Sequence, residues 1–306
     1  MLSGCSGRGR EGFILVSVLL LCVMLVATAT AYAWFARIQI KVVFQEKLAL
    51  QARGIAFVMA QEVMKGLKLD TNEFDSPIEP WFQPMIVPLK DYGVANVILK
   101  PLDNKIPLQH LFLPDGNTLR DIPRFQKVWD KMWGELEERW TTLPAKVLDF
   151  IDKDTIPRVG GKDGPENINR NLLDISELLG VPEVTPELLY GDPPKLGIVD
   201  YCTMWSDVKM NINVAEPHVL ALLPELNRNL IEEIIKFREK NAIASFDDLS
   251  SIPGMPLGSA INYIIDFKSS YYNLIIELLD ESWNSTRYFD IVFLKKDGSI
   301  LSWEEK

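Results

Sequence analysis

Residues Gly9 to Leu21 read GREGFILVSVLLL, and the continuation of this stretch decides the fold. The 24 residues from Phe13 to Ala36 carry no charged side chain. As a helix they would run about 36 Å at ~1.5 Å per residue, against a hydrocarbon core of ~30 Å. A cleaved secretory signal is the competing reading, with Ala27, Ala29, Ala31 and Ala33 offering small-x-small positions. The continuation favours a retained helix. From Arg37 to Lys65 there is no proline and one glycine, Gly54, and apolar residues such as Val43, Leu50, Phe57 and Val58 recur at helical spacing. The expectation is one uninterrupted helix running from a membrane into the aqueous side. Arg8 and Arg10 precede the apolar run and Arg37, Lys41 and Lys47 follow it, so charge bias does not orient it.

The chain has 306 residues, enough for one large domain or two ordinary ones. With 47% hydrophobic and 24% charged residues it is neither disordered nor polytopic. Acidic residues outnumber basic ones 42 to 32, for a net charge of -10. That balance argues against a phosphate-binding surface as the main business of the chain. Of the three cysteines, Cys5 precedes the apolar run, Cys22 lies inside it and only Cys202 follows it, so no intramolecular disulfide is expected beyond the membrane.

After the helix, Pro77, Pro80, Pro84 and Pro88 mark loop or edge structure. Tyr92 to Leu102 alternates as a strand, and Ile106 to Leu113 is a second candidate before the turn signal Pro114-Asp115-Gly116-Asn117. From Asp121 to Leu143 the period becomes helical, with Phe125, Val128, Trp129, Met132, Trp133, Leu136 and Trp140 on one face. A stripe of three Trp invites a ligand-stacking reading, but at this spacing a packed core face is the better one. Strand patterns return at Tyr271 to Leu279, Tyr288 to Lys295 and Ile300 to Trp303, with Lys296-Asp297-Gly298-Ser299 as a tight hairpin turn. These patterns predict an α+β fold: a long N-terminal helix and an antiparallel sheet, interrupted by a mostly helical insertion over 118–269.

Asn211 to Gly254 resembles a tandem helix-hairpin-helix unit, a motif that DNA receptors and repair proteins use. Pro217 opens one helix, Arg228 to Glu239 forms another, and Asp247-Asp248-Leu249 starts a third. A DNA-binding copy offers glycine N–H groups to phosphate at its hairpin turn. Here that turn is Leu223-Pro224-Glu225-Leu226-Asn227. Over Asn211 to Ser259 there are seven acidic and four basic residues, a local charge of -3 that would repel a phosphate backbone. A structural use of the motif is expected, with a membrane-anchored DNA receptor as the rival from another class.

Asp149, Asp152, Asp154, Asp163 and Glu166 cluster with Asn167 and several glycines. Oxygen ligands on a glycine-containing loop suit calcium better than a transition metal, and the candidate ligands are Asp152, Asp154, Asp163 and Glu166. Their spacing is not that of an EF-hand, and a solvated acidic loop is the alternative reading. His110 and His218 sit in apolar contexts and read as packed side chains. No G-x-S-x-G, Walker A or H-E-x-x-H pattern is present, and nothing in the sequence supports an enzyme.

The short polar leader ending in Gly12, followed by Phe13 and the apolar run, resembles a type IV prepilin signal. The resemblance implies cleavage between Gly12 and Phe13 by a prepilin peptidase, methylation of the new terminus and retention of the helix. The fifth residue after the cut is normally Glu in such signals; here it is Ser17. A carboxylate in a membrane helix costs roughly 2.5–3.5 kcal/mol at the bilayer centre unless a partner compensates it. In pilin-like filaments, as the resemblance implies, that partner is the terminal amine of the subunit ahead. A first subunit has none ahead of it, so Ser17 suits a filament tip.

Leu148 to Asp154, Ser176 to Thr185, Asn211 to Ala215 and the closing strands follow that start in order. Together they resemble the K-type minor pseudopilins of type II secretion systems (general secretion pathway protein K). The resemblance implies a leader over 1–12, a membrane segment over 13–36, first pilin-like strands within 37–117, the inserted domain over 118–269 and closing strands over 270–306. It further implies a single-pass inner-membrane protein with its C-terminal domain in the periplasm. Its partners would be the I-type and J-type minor pseudopilins at a pseudopilus tip and the inner-membrane platform, with calcium in the inserted domain and no nucleic acid. A minor pilin of a type IV pilus is the alternative within the same superfamily.

Overall fold

The computed structural model describes residues 8–90, 92–120, 122–138, 141–256, 260–280 and 285–306. Helix α1 (Arg8–Leu69) is continuous, as the proline-free sequence predicts. Two compact units are distinguished, 1–58 and 59–306. The first is the greater part of α1, and its apolar run leaves Phe13, Leu19, Val26 and Trp34 exposed. The stretch is long and apolar enough to cross a membrane.

The second unit is built on a five-stranded antiparallel sheet. Its strands are β1 (Met85–Leu89), β2 (Gly93–Pro101), β7 (Tyr271–Asp280), β8 (Ser285–Leu294) and β9 (Ile300–Glu305), paired in that order. The prolines fall where a missing N–H is tolerated, Pro88 lying in the edge strand β1. Alternation places Ala95, Val97 and Leu99 of β2 beside Leu278, Ile276 and Leu274 of β7, all buried on one face. Phe289 and Ile291 of β8 extend that face. Each of the Val, Leu, Ile and Phe side chains contributes roughly 1.5–3 kcal/mol on full burial. Gly298, at φ 76°, closes the β8–β9 hairpin, and Lys68 at the end of α1 donates to the Asp297 carbonyl at 2.8 Å.

Because β2 pairs directly with β7 along its whole length, everything from 102 to 270 is one excursion from the sheet. It begins earlier than the expected residue 118. The strand expected over Ile106 to Leu113 is only β3 (Ile106–Pro107), paired in parallel with β4 (Cys202–Thr203) inside the insertion. Pro107 cannot extend a ladder. Leu108–His110 turn into a 3₁₀ helix instead, which buries Leu108 and Leu111 in the insertion's core.

The insertion holds short helices joined by long irregular segments: α2 (Ile122–Glu135), α3 (Leu143–Ile151), α4 (Pro186–Tyr190), α5 (Ile198–Tyr201), α6 (Pro217–Leu220), α7 (Arg228–Arg238) and α8 (Phe246–Ser251). A second parallel pair joins β5 (Met210–Asn211) to β6 (Ile265–Asp266). Among the described residues the insertion forms two apolar cores. One gathers Trp129, Met132 and Trp133 of α2 with Val147, Phe150, Leu178 and Tyr201. Trp129 and Trp133 are therefore core residues; Trp140 and Asp121 lie outside the described residues. Cys202 is buried in the same core, where burial pushes its thiol up. The other core lies between α6, α7 and α8 and includes Val219, Leu223, Ile234 and Leu249.

A buried polar seam pins this excursion to the sheet. The Asp103 carboxylate, 1% exposed, accepts from the amides of Asp207 at 2.5 Å, Ser270 at 2.8 Å and Tyr271 at 2.9 Å. Asp75 Oδ2 accepts from the Ser269 amide at 2.7 Å and the Tyr272 hydroxyl at 2.8 Å. Asn211 joins the two by donating its side-chain amide to the Asp75 carbonyl and its backbone amide to the Asp103 carbonyl. The outgoing and returning crossings are thereby tied to each other.

Candidate functional site

Helix α3 ends where Asp152 turns extended, its amide still donating to the Leu148 carbonyl at 3.0 Å. The chain then loops without regular structure past Asp154, Arg158 and Asp163, and returns at Ile168 and Asn169, whose amides donate to the Phe150 carbonyl. Close approach shapes this loop at Gly161, where a Cβ would stand 1.9 Å from Asp149 Oδ2. Only a residue without a side chain lets the loop lie against that carboxylate.

Asp152, Asp154 and Asp163 each bring a carboxylate oxygen within 4.8 Å of the others. Asp152 is buried and Asp154 and Asp163 are half-buried, and such crowding of like charges is costly unless a cation stands among them. Burial pushes the Asp152 carboxyl up to about 7, Arg158 opposing and Asp154 and Asp149 adding to the rise. The Asp149 carboxyl is raised for the same first reason, burial. Asp152 Oδ1 and Asp163 Oδ2 are buried with no hydrogen-bond partner, as are the amide oxygens of Asn117 and Asn169 on the flanking segments. Buried oxygens are rarely left unsatisfied, and a hard cation with several oxygen ligands would satisfy those of Asp152 and Asp163. The donor set is all oxygen, which fits calcium, and the Asp triad could hold such a metal.

The fourth candidate ligand, Glu166, and the other polar residues of the sequence cluster make contacts of their own. Glu166 is drawn away to Lys162, four residues before it, at 2.7 Å. Asp149 is fully buried but accepts from the Arg158 amide at 3.1 Å and 3.2 Å and lies 3.4 Å from Arg158 Nε. Asn167, in the same sequence cluster, donates its side-chain amide to Asp163 Oδ1 at 3.1 Å. The sequence reading missed Arg158 altogether. Its signal was that it is the basic residue midway between the two halves of the acidic cluster.

At the N-terminus, Gly12 and Phe13 both lie in the helical backbone of α1, and Phe13 is exposed. The Ser17 hydroxyl donates to the Phe13 carbonyl at 2.9 Å. That bond satisfies it within its own helix turn, so Ser17 needs no partner where a carboxylate would.

The helix-hairpin-helix segment is formed as the sequence predicts, with Asn227 capping α7 through its side chain and Ser245 capping α8. Glu225 occupies the hairpin turn at φ 68°, the left-handed conformation in which a phosphate-binding copy carries glycine. Arg238 turns inward to the Ile212 and Ala215 carbonyls, and Lys236 and Arg228 pair with Glu233 and Glu232. His218 meets the Asp200 carbonyl at 3.1 Å and the edge of Tyr201, while burial holds the half-buried His110 below its ordinary range.

No family model matches the sequence. The type II secretion system protein K of Pseudomonas aeruginosa is 23% identical over 271 aligned residues, covering 79% of this chain and 77% of that protein. Among solved structures, a chain in the crystal structure of the GspK-GspI-GspJ complex from the enterotoxigenic Escherichia coli type 2 secretion system has the same fold. It superposes with a TM-score of 0.63 at 17% identity, over 88% of this chain and 99% of that one. The sequence similarity and the shared fold each extend over most of the chain, and by sequence and structure together the chain is a homologue of type II secretion system protein K.

Proposed function

We propose that this protein is a minor pseudopilin of a type II secretion system, a structural subunit and not an enzyme. It would join I-type and J-type minor pseudopilins at the tip of a short filament that supports export of folded proteins. The observation that carries this is the shared architecture with a protein solved in complex with GspI and GspJ, followed over nearly all of that chain. The large excursion between β2 and β7 supports a tip position, because its bulk would clash with neighbours packed on all sides inside a filament. Ser17 supports it independently, since a terminal subunit needs no carboxylate for a subunit ahead.

The same reading gives the N-terminus its processing. A prepilin peptidase would cut between Gly12 and Phe13, methylation of the new terminus would follow, and Phe13 to Ala36 would remain in the inner membrane with the second unit in the periplasm. In the insertion, Asp152, Asp154 and Asp163 would hold calcium. The ion would neutralise converging carboxylates and fix a loop that has no regular structure of its own.

One experiment tests the assignment. The protein is purified from detergent-solubilised membranes with an affinity tag on its C-terminus, its companions are identified and its N-terminus is sequenced. The I-type and J-type pseudopilins are expected to co-purify, with the chain beginning at Phe13. Recovery with major pilin and retraction components, or an intact Met1, would overturn it.

A further inference from the structure

Arg158 stands at the centre of the acidic loop and has a role that the ligand residues alone do not explain. Its Nη2 donates to Asp152 Oδ2 at 2.8 Å and to the Asn117 carbonyl at 2.8 Å. Its amide donates to both oxygens of Asp149, and its guanidinium lies 5.4 Å from the centre of the Phe112 ring. One residue therefore ties together the end of α3, the Asp115–Thr118 turn and the middle of the loop. Asp152 is wholly buried, and with Oδ2 taken by Arg158 its Oδ1 is left without a partner beside Asp154 and Asp163.

We propose that Arg158 is a positioning residue for the metal: it engages one oxygen of Asp152 and the Asp149 carboxylate, and so presents the remaining oxygens of Asp152, Asp154 and Asp163 to a divalent cation. The proposal rests on the reading that this triad holds calcium. A guanidinium suits the task because its Nη2 holds Asp152 and Asn117 while its Nε lies 3.4 Å from Asp149 Oδ1, a rigid planar spread over two carboxylates that a lysine ammonium cannot reproduce. Two opposite effects follow from removing it. Loss of a positive charge beside the triad would strengthen cation binding, whereas loss of the preset geometry would weaken it. A positioning role requires that the second effect win.

Calcium titrations of the full-length protein in detergent, by calorimetry and by melting temperature, decide between them. Arg158→Ala is expected to bind calcium about tenfold more weakly than the parent, the scale usual for partners that orient metal ligands. Arg158→Lys, which keeps the charge and loses the fork, is expected to weaken binding as well, and it serves if the alanine variant does not fold. Unchanged or tighter calcium binding in either variant would overturn the proposal and leave Arg158 a simple counter-charge. A parent protein that binds no calcium would instead sink the metal reading itself, and the proposal with it.

Discussion

Asp103 and Asp152 are buried to the same degree, and burial pushes each carboxyl up to about 7, yet their oxygens are treated differently. At the seam, three backbone amides converge on Asp103 and use both of its oxygens. In the loop, Asp152 has one oxygen on Arg158 and one with no partner, and two further carboxylates stand beside it. Asp75 also keeps an unpaired oxygen, but among the described residues only Asp152, Asp154 and Asp163 form a converging acidic triad. Burial and a raised pKa are thus shared by a structural carboxylate and a candidate ligand. What separates them is whether amide donors or other carboxylates supply the surroundings.

The strongest way to break this comparison is Asp103→Ala. It leaves the amides of Asp207, Ser270 and Tyr271 without an acceptor inside the fold, and the expected loss is about 3–5 kcal/mol of stability. Urea unfolding should show the same loss with calcium as with chelator, because the seam's donors are all protein groups. A loss that calcium repairs would mean that seam and loop are one system.

The pH dependence probes what the two carboxylates have in common. A carboxyl raised from 3.8 to about 7 on folding holds its proton in the folded state while the unfolded chain has already released it. Its stabilisation is therefore full below pH ~4 and is lost as pH rises through 7, by up to about 1.4 kcal/mol per unit. Asp152 contributes with the same sign in chelator. Urea midpoints measured in chelator should fall from pH 5 to pH 8, and Asp103→Asn should remove its share of the slope. The three amide donors act against the rise at Asp103, so a slope that Asp103→Asn leaves untouched would show that they win there.

The two regions were unequally legible in the sequence. The loop could be read because its acidic residues lie close together among glycines, and local composition reports local chemistry. Within it, Glu166 pairs with a lysine four residues earlier, a local geometry that no composition argument weighs. The seam left no comparable trace, because Asp75, Asp103, Asp207, Asn211 and Ser269 to Tyr272 meet only through the topology that returns the chain from β2 to β7. The sheet itself was legible through its alternation and the Asp297-Gly298 turn. The truncated strand at Ile106 was not, because Leu108 and Leu111 fit a 3₁₀ turn into the core as well as they fit a ladder.

The smallest expected effect sharpens the comparison most, because it asks which acidic residues of the loop matter. Asp154 Oδ1 accepts from the Ile156 amide at 2.8 Å, and an asparagine keeps that acceptor with the same shape. In chelator, Asp154→Asn should therefore alter stability by no more than about 0.5 kcal/mol. With calcium, loss of one anionic ligand should weaken binding about tenfold, removing about 1.4 kcal/mol of the stabilisation that the ion adds. Glu166→Gln is the matched control, since Glu166 spends its charge on exposed Lys162, and its calcium response should equal that of the parent. If the two substitutions diminish the calcium response equally, the ion is held by the whole acidic loop, and the triad has no special standing within it.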